Sequence, residues 1–164
     1  LYQLVGVLTD VDLFRRLRAR SQTRGPAGLA DLQAALHLVT GEPFTGQRRG
    51  GWSWLAEGAR IDQVMVCAIV DVAHLVTMAT LSGHRLSEAR TATEAALLAA
   101  PYEDTPRLDL AAISAAEGDQ RAAQRIVHED VYNRTEDGEA PEDLSERTTA
   151  IVTEAAWLEK VRVA

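Results

Sequence analysis

Cys67, Asp71 and His74 are the side chains of this 164-residue sequence whose types and spacing come nearest to chemistry. Separations of four and three put all three on one face of a helix. A thiolate, a carboxylate and an imidazole could together ligate a metal, and a thiol beside an imidazole could serve as a nucleophile pair. That would make a small metal- or thiol-dependent enzyme. Three groups on a single helix cannot enclose a metal without ligands from elsewhere, however. The same residues also read as packing: thiol and imidazole lie beside Ala68 and Val72, with Asp71 and His74 satisfying each other or a backbone group. The packing reading is the stronger, so no catalytic, cofactor-binding or metal-ligating residue is assigned, and the chain is expected not to be an enzyme.

Elsewhere the sequence holds little catalytic apparatus. His37, His84 and His128 are isolated and expected at the surface. There is no His-Glu-x-x-His, no Cys-x-x-Cys and no Gly-x-Ser-x-Gly pattern. Gly50-Gly51 lacks the following Lys-Ser/Thr of a phosphate-binding loop. Glu136, Asp137, Glu139, Glu142 and Asp143 sit in a polar run where nothing raises a carboxyl pKa toward acid/base work.

Contact residues are better represented. Trp52 and Trp54 alternate in a loop and are expected to close the core between the second and third helices. The competing reading makes one of them an exposed anchor, because Trp is favoured at interface hot spots. With the neighbouring Arg48 and Arg49 they form the candidate interaction set. Arg15, Arg16, Arg18 and Arg20 make a second basic cluster, but their spacing spreads them around a helix rather than along one face. A net charge of −7 and a pI near 5.1 repel a phosphate backbone on average. Direct nucleic-acid binding is therefore the lesser reading of that cluster, and a solvated face the greater.

The elements that must position these residues are helices. Apolar residues make up 46% of the chain and aromatics only 5%; Ala and Leu dominate, and both are good helix formers. Thr9 or Asp10 caps a first helix in which Val11, Phe14, Leu17 and Arg18 share a face and which ends near Gly25-Pro26. A second helix spans about 27–39. The Gly-rich loop 40–51 follows, pinned by Phe44, Trp52, Trp54 and Leu55. The longest helix, 60–82, carries a wide apolar stripe of Ile61, Val64, Met65, Ala68, Val72, Leu75, Val76 and Ala79, and Gly83 breaks it. Helices at 86–99, 105–117 and 119–133 come next, then a solvated acidic linker at 136–146 and a capping helix at 144–163. Residues 2–8 form a short apolar run that could be an edge strand whose partner lies upstream; a lone strand is not stable in water.

An internal echo is visible. Leu81-Ser82-Gly83 and the helix after it parallel Ala116-Glu117-Gly118 and the helix after that, at an offset of about 35 residues. This is near the period of tetratricopeptide (TPR) units. Ala89 and Ala123 let paired helices approach, and each pair leaves an apolar face for the next pair to cover. The single cysteine excludes an internal disulfide and fits a reducing, cytoplasmic compartment. The longest apolar stretch, 64–81, is interrupted by Asp71, His74 and Thr77 and is not expected to span a bilayer. A start at Leu1 is what an excised piece of a larger protein would show.

Several segments together resemble one family. Thr9-Asp10-Val11-Asp12-Leu13-Phe14-Arg15-Arg16-Leu17 is similar to the opening helix of the bacterial transcriptional activator domain. Ala34-Ala35-Leu36-His37-Leu38-Val39-Thr40-Gly41-Glu42-Pro43-Phe44 resembles its Ala-Leu-x-Leu-x-x-Gly-x-Pro-Phe signature. Trp52-Ser53-Trp54-Leu55, Ile69-Val70-Asp71-Val72-Ala73-His74, Ala99-Ala100-Pro101-Tyr102 and Ala115-Ala116-Glu117-Gly118-Asp119 also fit. The resemblance covers residues 9–135 and implies a TPR-like array following a winged-helix DNA-binding domain, as in SARP-type regulators, or sitting in proteins with LysM repeats. Family members often end with a Gly-x-x-Pro turn; the acidic linker and extra helix here resemble the LysM-associated branch more closely.

The expectation is thus an all-α fold of stacked TPR-like helical hairpins in a right-handed superhelix. Residues 1–8 would be the tail of an upstream winged helix, 9–135 the activator domain, and 136–164 the acidic linker and capping helix. The resemblance implies a non-catalytic interaction domain of a transcription regulator, without cofactor. Its contacts would be another domain of the same protein, a protein partner or a second copy. DNA would be reached only through the upstream domain, and this segment would touch no membrane.

Overall fold

The computed structural model of the chain describes residues 6–46, 60–132 and 145–154. All regular structure among them is helical. In chain order the helices are α1 (Asp10–Gln22), α2 (Leu29–Leu36), α3 (Ile61–Ser82), α4 (Leu86–Ala99), α5 (Asp104–Ala116), α6 (Gln120–Arg125) and α7 (Glu146–Glu154). A 3-10 turn, Gly25–Gly28, precedes α2, and α6 runs on as a π-helical segment, Ile126–Tyr132. Of the segment read as a possible edge strand, residues 6–8 have no strand pairing, and Val7 and Leu8 are exposed. The rest of that segment lies outside the described residues.

Local chemistry sets most helix ends. Thr9 Oγ1 accepts from the Asp12 amide at 3.1 Å, and Asp12 Oδ2 accepts from the Thr9 amide at 3.3 Å. This reciprocal capping box satisfies two first-turn amides, and the Thr9 hydroxyl holds the Asp12 carboxyl below its usual pKa. The first helix stops at Gln22, earlier than Gly25-Pro26, because Thr23 caps it and Gly25 turns the chain at φ +53. Pro26 then occupies the first turn of the 3-10 segment, where its missing amide costs nothing.

The α1–α2 junction is tight. Buried Asp31 on α2 accepts from Arg20 at 2.6 Å and from Arg24 at 3.1 Å. The Arg20 guanidinium pulls the Asp31 carboxyl below the ordinary range. Gly28 lies against the end of α1, so that a Cβ there would stand 2.3 Å from the Ser21 carbonyl oxygen. Backbone cannot yield as a flexible side chain can. Gly28→Ala is therefore expected to lose roughly 1–3 kcal/mol, the usual cost of overpacking, as read by urea denaturation; an unchanged midpoint would show that α1 and α2 can separate freely.

Packing follows the chain. α1 lies on α2, α2 on α3, α3 along α4, α4 on α5, and α5 on α6 with its π-helical continuation. Helices two apart also touch: α3 packs on α5, and α5 on α7. One apolar cluster joins Phe14 of α1, Leu36 of α2, Met65, Ile69, Val72 and Val76 of α3, and Ala92 and Ala96 of α4. A second joins Leu108 and Ala111 of α5 to Ala123, Val127 and Val131, with Ile151 of α7 packed against it.

The hairpins α3–α4 and α5–α6 are built alike. The Arg85 amide donates to Thr80 O and the Asp119 amide to Ser114 O, both at 2.9 Å. The His84 amide donates to Leu81 O and the Gly118 amide to Ala115 O, both at 3.0 Å. These paired bonds form a Schellman stop at each helix end. Thr80 Oγ1 donates to Val76 O, and Ser114 Oγ to Leu110 O. Ala89 and Ala123 are both fully buried where the helices cross. Every one of these pairs is separated by 34 positions, one fewer than the alignment of Gly83 with Gly118. The left-handed residue of the first stop is His84 (φ 54), not Gly83 (φ −93), and it matches Gly118 (φ 89). Histidine tolerates that conformation better than most residues with a Cβ, which is why the glycine misleads. Between the helices, the first hairpin sets Thr77 Oγ1 against Thr93 Oγ1 at 2.9 Å, whereas the matching positions of the second, Ala111 and Val127, belong to its apolar cluster.

Arg107 fastens the last described hairpin. It donates from Nη2 to Pro101 O at 2.6 Å and from Nη1 to Asp130 O at 3.3 Å, holding the π-helical segment to the start of α5. With a mean hydropathy of 2.0 over its most apolar stretch, α3 is by length and composition long and apolar enough to cross a bilayer. Half of that stretch is buried by the other helices of this chain, and its Thr77 and Thr80 hydroxyls are bonded inside the protein.

Candidate functional site

The α3 face that carries Cys67, Asp71 and His74 reads in the sequence as packing, and it lies at or near the surface. Cys67 is exposed and does not pack beside Ala68 and Val72. Asp71 and His74 do not satisfy each other. Asp71 forms ion pairs with Arg147 of α7, at 2.9 Å, and with Arg18 of α1, at 3.7 Å. His74 Nδ1 sits 2.8 Å from Asp109 Oδ1 of α5. Asp71 is thus drawn to α1 and α7 and His74 to α5, while Cys67 faces outward. Among the described residues no group of His, Cys, Asp and Glu is arranged to hold a metal ion.

Asp109 is the most deeply placed of these charges, 3% exposed. Burial pushes its carboxyl above the ordinary range, and the hydrogen bond to His74 offsets this only in part. The same hydrogen bond raises the pKa of His74, against the opposing effect of its own partial burial. The His74–Asp109 hydrogen bond is a tie between α3 and α5, the two helices that must stack if successive hairpins are to share a core.

Asp71 is a different kind of tie. Its side chain and both arginines are about two-fifths exposed. Water screens such pairs, and exposed ion pairs contribute only about 0–1 kcal/mol. Asp71→Asn is expected to cost less than about 1 kcal/mol in urea denaturation, within the range for an exposed pair; a much larger loss would mean that α1 and α7 hang on this carboxylate.

The outward stripe of α3 is also less apolar-inward than its sequence implies. Val64, Leu75 and Ala79, expected in the core, face out, with Val64 47% and Leu75 58% exposed. Met78 joins them at 51%. A helix with apolar side chains on nearly its whole circumference has no clear polar arc to mark its outer side, so only the neighbouring helices decide which arc is covered.

Other candidates resolve simply. Arg15 and Arg16 are exposed, while Arg18 and Arg20 are engaged with Asp71 and Asp31. His37, His84 and His128 are exposed as expected, and the His128 ring leans on Tyr132. Trp52, Trp54, Arg48 and Arg49 lie outside the described residues. Beside α1, a pocket of about 240 Å³ is lined by Val11, Phe14, Val39, Phe44, Met65 and Ile69, among others. A second, about 360 Å³, opens between α2, α3 and α4, where Gln33 Nε2 donates to Glu88.

Arg147 and Asp109 are the site residues that the sequence did not single out. Arg147 stands between Glu146 and Thr148 in a polar stretch without periodicity. Asp109 does leave a trace: a lone carboxylate between Leu108 and Leu110, in a helix otherwise rich in Ala and Leu, asks for a partner. No family model, curated protein or solved structure matches this chain.

Proposed function

We propose that the chain is a non-catalytic protein-interaction domain of a bacterial transcription regulator, built as a TPR-like array of stacked hairpins. The observation that carries this reading is the 34-residue register shared by α3–α4 and α5–α6, down to matching caps and buried alanines. Stacked repeats of this kind leave extended surfaces, and the folds that use them are mostly scaffolds for contact. The regulatory half of the reading rests on the segments similar to the bacterial transcriptional activator domain. In this scheme a partner docked on the array shifts it against a DNA-binding domain of the same protein, in the cytoplasm. The partner is another domain, a second copy or a component of the transcription machinery.

The test is DNA binding at low salt by this chain alone and by the full product of its gene. Binding by the full product alone, falling steeply with salt, supports the proposal. Binding by the chain alone would shift the assignment to the arginines of α1. If neither binds, the regulatory role is wrong.

A further inference from the structure

Val64, Cys67, Asp71, Leu75 and Met78 follow one another along α3 at steps of three, four, four and three, and so form a single outward stripe. Four of the five are apolar or weakly polar, and all four are exposed. Scattered exposed hydrophobic residues are ordinary, but a row of them on one helix marks a surface that is covered in use. The row runs about 21 Å, at 1.5 Å per residue, which matches four turns of a partner helix.

Its rim is cationic. Arg18 reaches the stripe from α1 and Arg147 from α7, and both turn to the same carboxylate, Asp71. Arg15, exposed, lies one turn before Arg18 on the same face of α1. At the centre of the stripe two guanidiniums, Arg18 and Arg147, meet the single carboxylate of Asp71, in a chain whose net charge is −7. An excess of cations around an apolar row selects a partner with the opposite rim.

We propose that this stripe of α3, flanked by Arg15, Arg18 and Arg147, is the docking site for an acidic amphipathic helix. The partner would present apolar residues at i, i+4, i+7 and i+11 to Val64, Cys67, Leu75 and Met78. Its glutamates or aspartates would compete with Asp71 for the two arginines. A second copy of the chain fits less well, since antiparallel pairing about the middle of the stripe sets Asp71 against its own counterpart. This assignment rests on the interaction role proposed above and names its surface and its partner chemistry.

The probe is a synthetic fluorescein-labelled helix-forming peptide with leucines at those four positions and glutamates on both flanks. A counter-probe carries the same leucines with lysine flanks. Fluorescence anisotropy on the intact chain should show saturable binding of the glutamate peptide, weakened by salt, and little binding of the lysine peptide. The double variant Leu75→Glu, Met78→Glu should lose about tenfold or more in affinity, the usual effect of removing central anchors. Arg147→Glu should weaken binding severalfold, and Leu98→Glu, on α4, should leave it unchanged; circular dichroism confirms that each variant folds. The proposal is overturned if the lysine peptide binds as well, if neither binds, or if the double variant binds as the parent does. It is also overturned if the chain sediments as a dimer that the double variant dissolves. Helix binding that ignores the stripe variants would remove this site and leave the interaction role standing; absence of any helix binding together with absence of DNA binding by the full gene product would remove both.

Discussion

His74→Ala is expected to cost about 3 kcal/mol, near the lower end of the range for taking one partner from a buried ion pair. The lower end applies because His74 keeps a quarter of its side chain in water, whereas Asp109 is almost wholly enclosed. Without the imidazole, Asp109 must either stay charged in a poor solvent or take up a proton, and both outcomes loosen α3 from α5. Replacing both residues by leucine should cost less than removing His74 alone, since a well-packed apolar pair leaves no buried charge behind. The pH dependence follows from the direction of the shifts. Asp109 raises the pKa of His74 above its ordinary value near 6.5. The pair's contribution is therefore complete below about pH 6.5 and is lost as pH rises through the raised folded-state value. Burial raises Asp109 as well, so it too favours the fold on the acid side. Denaturation midpoints measured from pH 6 to 9 should fall in the parent, and His74→Ala should change that slope by removing the imidazole's share and leaving that of Asp109. A loss below about 1 kcal/mol, where an exposed pair would lie, or an unchanged slope, would show that the tie is not structural.

Phe14→Ala is expected to cost about 3–5 kcal/mol, the range for truncating a buried aromatic. Phe14 is the buried residue of α1, and it brings that helix into the cluster with Leu36, Met65 and Ile69. Its neighbour is the open pocket of about 240 Å³ beside Val39 and Phe44. Removing the ring would join that space to the core and admit water against Met65 and Ile69. The loss should therefore be accompanied by early exchange of α1 and α2 amides, while those of α5 and α6 stay protected. Hydrogen exchange with site resolution checks this. Uniform loss of protection across all helices would instead mean that the two apolar clusters unfold as one unit.

Much of the fold is legible without coordinates because the signals are local. Thr9, one of the two caps read from the sequence, starts α1, Gly118 and Asp119 make the turn before α6, and Pro101 the turn after α4. Such residues act through their own backbone and its next few amides, so their effect survives in any tertiary setting. Ala89 and Ala123 were likewise readable as points of close approach. The register was readable to within one residue. Glycine identity pointed to 35, and the hydrogen bonds around His84 and Gly118 place it at 34.

What tertiary structure alone decided is where α3 turns its sides and whom its charges meet. Val64 and Leu75 are as apolar as Met65 and Val76, and nothing in α3 itself says which pair is covered. Asp71 could have bonded His74, one turn away, yet it meets arginines from positions 18 and 147, while His74 meets Asp109. Those pairings depend on how helices distant in sequence cross, and crossing geometry comes from the sum of many packed side chains. A cap needs three or four residues to be specified, whereas a contact between α7 and α3 needs every helix between them to be in place.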